Sequence, residues 1–145
     1  MSDDPGEGAM QWPANLIEAQ LRASPEAIRL YAEITRDFNP LHLDADFAAQ
    51  TPFGRPIAHG TLSLAVLWEA IAATFGPDAR PAAAEMRFLA PIAEGALISA
   101  TGSRAGADDP LAATMRYDFT VSDAAGTQAL AGFVDIARHG ADAAS

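Results

Sequence analysis

The spacing of apolar residues changes along this chain, and each change marks an element. Ala27, Ile28, Tyr31 and Ile34 recur at helical spacing. Ser24-Pro25-Glu26 precedes them as an N-cap, a proline at the first helical position and an acid in the first turn. This helix is expected to end near Asp37, because Pro40 disfavours a helical Asn39. Asp44 is expected to cap a short helix through Phe47 and Ala48. Residues 59–75 then form the longest predicted helix. It is apolar nearly all round (Leu62, Leu64, Ala65, Val66, Leu67, Trp68, Ile71), as a buried element is, and Gly76-Pro77 stops it.

Beyond that point the period falls to two. Strands are predicted over 84–91, 96–105, 111–121 and 127–137, with turns at 94–95, 106–110 and 123–126. Met115, Tyr117, Phe119 and Val121 alternate with polar or small neighbours, as in a sheet with one face buried. One earlier strand is expected around 16–21. The pattern sums to an α+β fold, a strongly curved antiparallel sheet wrapped around one hydrophobic helix. No linker or repeat divides it, so residues 13–138 read as one domain. Residues 1–12 (MSDDPGEGAMQW) and 139–145, the latter holding His139, read as disordered tails.

Composition narrows the function. The chain has 145 residues, enough for one domain with a real core. No apolar run reaches the roughly 18 residues of a membrane span, and no signal peptide is apparent. Cysteine is absent, which excludes disulfides and thiolate metal sites and fits a cytoplasmic protein. The net charge is −10 and all nine basic residues are arginine. A general attraction for nucleic acid is not expected, since that rests on clustered cations. With no lysine, Schiff-base chemistry is excluded.

One stretch carries chemistry. Asp37 and His42 flank Asn39-Pro40, a reversal expected to aim both side chains into one buried cavity with room for a water. A carboxylate and an imidazole so placed can take a proton at one point and return it at another. Asn39 is expected to tie the turn with its amide. Gly60, read as the head of the long helix, would present its N–H where the helix dipole favours negative charge, with no side chain to block a ligand carbonyl. The plainer assignments are an aspartate at a helix end, a core histidine and a turn glycine. His59 is expected to support the loop-to-helix junction. His42 and His59 do not follow the H-x-x-x-H spacing, so no metal is expected.

The run YAEITRDFNPLHLDADFAAQTPFGRPIAHGTL, Tyr31 to Leu62, resembles the MaoC-like, R-specific enoyl-CoA hydratases. The resemblance implies a hot-dog fold, usually dimeric through edge-to-edge sheets, and reversible syn hydration of trans-2-enoyl thioesters. It implies that Asp37 and His42 hold the water, that the Gly60 amide binds the thioester oxygen, and that Asn39 supports them. Which of the pair is acid and which base stays open, as does the carrier, coenzyme A or acyl carrier protein. No separate cofactor is implied, since coenzyme A is part of the substrate. Arg55 and Arg87 become candidates for its phosphates. Many relatives have glycine where this chain has Arg36, which is expected to face solvent. Some place a serine where Trp68 stands, so a shortened acyl pocket and short-chain substrates are expected. A hot-dog thioesterase and a non-catalytic thioester-binding subunit are the alternatives; retention of both Asp37 and His42 speaks against the second.

Overall fold

The structure, a computed structural model, describes residues 11–138 apart from the side chain of Asp78. Of the tails expected at 1–12 and 139–145, residues 1–10 and 139–145, with His139, lie outside the described residues. In chain order the elements are β1 (Ala19–Arg22), α1 (Pro25–Thr35), α2 (Pro40–Leu43), α3 (Ala45–Ala49), α4 (Leu62–Phe75), a 3₁₀ turn (Gly76–Asp78), β2 (Ala79–Phe88), β3 (Leu97–Arg104), β4 (Thr114–Asp123) and β5 (Gln128–Arg138). The strands form one antiparallel sheet in the order β1-β3-β4-β5-β2. A five-stranded antiparallel sheet packed on one principal helix is the hot-dog arrangement that the sequence implies.

Alternation builds the core. Tyr117, Phe119 and Val121 of β4 are buried with Leu130, Val134 and Ile136 of β5 and Ile98 and Ala100 of β3. Against them α4 lays Leu62, Val66, Leu67, Ala70 and Ile71, sitting chiefly over β3 and β1. Each fully buried aliphatic side chain here stabilises the fold by about 1.5–3 kcal/mol relative to exposure. The expectation of a helix buried all round is corrected: Ala65, Trp68, Glu69 and Ala72 form an exposed face within one chain. Hydropathy alone did not separate the two faces, because both are apolar. Among the described residues no helix is long and apolar enough to cross a membrane.

Boundaries moved where periodicity is weak. β2 begins at Ala79 rather than at 84, because its first half (Ala79-Arg80-Pro81-Ala82-Ala83) has no alternation to read. Pro81 is tolerated there since β2 is an edge strand with a register shift between Pro81 and Ala83. Gly132 of β5 lies hard against the same strand: an added Cβ would collide with the carbonyl oxygen of Glu85. β1 is shorter than the expected 16–21 and lies later. Trp12, assigned to the tail by composition, is 1% exposed. Its ring meets Phe75 edge-on at 6.1 Å and lies under the Arg138 guanidinium at 3.9 Å. The Trp12 backbone N–H donates to Asp108 Oδ1 at 3.0 Å, and Tyr117 donates its hydroxyl to the Pro13 carbonyl at 2.6 Å. The ordered chain therefore starts before 13.

Candidate active site

The site is assembled where α1 ends. The Ser24 hydroxyl accepts from the Ala27 N–H at 3.1 Å to start that helix, and Arg36 ends it in the left-handed region (φ 62°, ψ 32°). This turns the chain so that Asp37 Oδ1 accepts the Asn39 N–H at 3.2 Å, while Asn39 Oδ1 accepts the Leu41 N–H at 3.0 Å. Asn39-Pro40 is more than the reversal expected from sequence. It forms the N-cap and first residue of α2, for which proline's fixed φ is suited. Asn39 is that cap, separated from Asp37 by Phe38.

His42 sits in the last turn of α2. Its Nδ1 lies 2.8 Å from the Ile57 carbonyl, which can only accept, so Nδ1 carries a proton and Nε2 faces Asp37. His42 Nε2 and Asp37 Oδ2 are 3.9 Å apart, a span that one bridging water can close. The sequence placed both groups in a buried cavity. His42 is largely buried, but the Asp37 side chain is 51% exposed within one chain.

His59 lies at the heart of this cluster and is 3% exposed. Its ring stacks on His42 with centroids 3.8 Å apart and meets Tyr31 edge-on at 5.2 Å. Its Nε2–H donates to the Asp37 carbonyl at 2.9 Å. Its Nδ1 is buried with no hydrogen-bond partner among the described residues, a situation that costs about 1–3 kcal/mol. By distance, Asp37, His42 and His59 can offer a metal three ligand atoms within 4.8 Å of one another. Of the two histidines, His59 has its Nε2 committed to the Asp37 carbonyl, while His42, with Nδ1–H held by the Ile57 carbonyl, keeps Nε2 free.

Gly60 precedes α4 instead of heading it. The helix opens through tight turns, with Leu62 N–H donating to the His59 carbonyl at 2.9 Å and Ser63 N–H to the Gly60 carbonyl at 3.2 Å. The Gly60 N–H has no acceptor among the described residues. Its φ is not positive, and an added Cβ would meet only Phe88 Cδ1, at an ordinary 3.8 Å. Neither backbone strain nor internal packing calls for glycine here, which removes the turn explanation. His42 and Gly60 line the same cavity of about 330 Å³, walled by Phe88, Leu89, Pro91 and Ala129. A hollow of about 360 Å³ near Asn15 and Asp118 holds none of these groups.

The expected binding residues do not join that cavity within one chain. Arg55 is exposed in the loop before Ile57. Arg87 precedes Phe88 on β2, so strand alternation turns it to the opposite face. Trp68 is 37% exposed on α4 and does not line the cavity. Ile57, Phe88 and Leu89 were missed. Ile57 meets His42 through its carbonyl, which no side-chain motif reveals, and Phe88-Leu89 carry no polar side-chain group to mark them.

The profile of the MaoC like domain matches residues 13–124. The chain belongs to the MaoC-like domain family. Within it, 69 residues are 39% identical to 3-hydroxybutyryl-CoA dehydratase of Methylorubrum extorquens, over 47% of this chain and 44% of that protein. A further 35 residues' alignment is 57% identical to (R)-specific enoyl-CoA hydratase of Aeromonas caviae, over 24% and 26% of the two chains. The matches thus span less than half the length of these curated relatives. The solved structure of R-hydratase PhaJ1 from Pseudomonas aeruginosa, unliganded, superposes with a TM-score of 0.77 at 28% identity, covering 92% of this chain and 82% of that one. This MaoC-like chain therefore shares the hot-dog fold along nearly its whole length.

Proposed function

We propose that this chain adds water reversibly to trans-2-enoyl-CoA, giving (R)-3-hydroxyacyl-CoA. The observation that carries the reading is the 3.9 Å separation of His42 Nε2 and Asp37 Oδ2 beside a cavity that also holds Gly60. In hydration the water oxygen bonds to C3 as its proton passes to one member of the pair, and the other member delivers a proton to C2. The pair carries one proton before and after. Between those events charge builds on the thioester oxygen, where the Gly60 N–H would receive it; one such donor typically contributes about 10²–10³ in rate. The chemistry is proton transfer alone and calls for no metal or separate cofactor.

The apolar walls suit an acyl chain. Arg55 and Arg87, both exposed, stay the proposed partners of the coenzyme A phosphates. The uncovered faces of β2 and α4 fit a second copy of the chain. Crotonyl-CoA is the test substrate. Loss of its conjugated absorbance without release of free coenzyme A is expected. Release of the thiol would identify a thioesterase and overturn the reading.

A further inference from the structure

We propose that His59 is a positioning residue for the Asp37–His42 pair, acting through two contacts made by one ring. The inference rests on the hydratase reading of this site. The His59 Nε2–H holds the Asp37 peptide carbonyl at 2.9 Å, while the ring face carries that of His42 at 3.8 Å with 27° between planes. The contacts reach both members of the pair, across 22 residues of sequence in one case.

His59 is not itself part of the proton-transfer pair. Its Nε2 lies 4.0 Å from Asp37 Oδ2, outside hydrogen-bond range, and its proton is already committed to a carbonyl. Its position is fixed from the far side by Tyr31, whose hydroxyl donates to Thr61 Oγ1 at 2.8 Å and so ties α1 to the residue before α4. The unpaired, buried Nδ1 shows that an imidazole is held here at a cost to the fold. Phenylalanine supplies a flat face without a donor, and glutamine a donor without the face. Histidine supplies both. Displacement of a reacting group by about 1 Å is worth about 10²-fold in rate, which is the scale on which such a residue acts.

The test compares His59→Phe, His59→Gln and His59→Leu with the unaltered protein, using crotonyl-CoA and thermal unfolding. His59→Leu, lacking both contacts, is expected to lose about 10²-fold in kcat, with KM within about twofold. His59→Phe and His59→Gln are each expected to recover part of that loss, and His59→Phe to unfold no earlier than the unaltered protein. Full recovery by His59→Phe alone would reduce His59 to space filling and overturn the proposal. So would an unaltered kcat in His59→Gln and His59→Phe. Should one of them fail to fold, the other's kcat decides. Inactivity of the unaltered protein would instead overturn the hydratase reading, and this inference with it.

Discussion

Arg36 holds a backbone conformation that most side chains avoid, with φ 62° immediately before Asp37. The left-handed region costs a non-glycine residue about 1–2 kcal/mol, partly offset because glycine loses more entropy on folding. Arg36→Gly is therefore expected to raise stability by about 1 kcal/mol in urea unfolding while leaving kcat in place. A loss of stability would mean that the side chain contributes contacts that outweigh the strain. For the pair itself, Asp37→Asn and His42→Ala are each expected to lower kcat by about 10²–10⁴ with little change in KM, measured by steady-state hydration. A near-normal rate in either variant would remove that residue from the pair. Asp37, His42 and Gly60 were legible as candidates because they fall in one short run of sequence. The anchoring of His42 by the Ile57 carbonyl and the stack with His59 were not, since both depend on chain segments brought together only by folding.

At the level of elements, periodicity revealed α1, β3 and β4, which bury one face, while α4 and the mostly buried β5 were legible as apolar runs bounded by turn residues. Periodicity found only the second half of β2, which is exposed along most of its length in a single chain and carries no alternation. It failed on α2, four residues long and defined by its cap rather than by any period. The exposure of β2 has a consequence. Along its outer edge the backbone is without a strand partner among the described residues, and unpaired edges invite pairing with another chain. Phe88 and Leu89 at its end, with Trp68 on α4, add exposed apolar surface. Sedimentation equilibrium is expected to give twice the chain mass. The mass of a single chain at micromolar concentration would contradict the dimer and leave β2 to be covered otherwise.

Across the whole molecule, the sheet's far end is closed by the segment around Trp12, which the acidic composition of its neighbours hid from the sequence reading. Tyr117 belongs to that closure, fully buried with its hydroxyl on Pro13. Burial pushes this hydroxyl up from 10.0 to about 12, against the opposing pull of Arg104 and Arg138. The unfolded chain ionises first, so stability is undiminished below about pH 10 and falls as the pH climbs toward about 12. Tyr117→Phe is expected to lose about 1 kcal/mol at neutral pH with the hydrogen bond, and to flatten the alkaline decline. An unchanged alkaline slope in urea unfolding would assign that decline to other groups.

On the hydratase reading a capped turn sets the pair, residues 57–60 and the end of β2 line the cavity, and the sheet holds both. Chiral analysis of the product formed from crotonyl-CoA tests it most directly. The account predicts (R)-3-hydroxybutyryl-CoA, its formation abolished or nearly so in Asp37→Asn. An (S) product, or an unchanged enoyl thioester in the presence of folded protein, would contradict it.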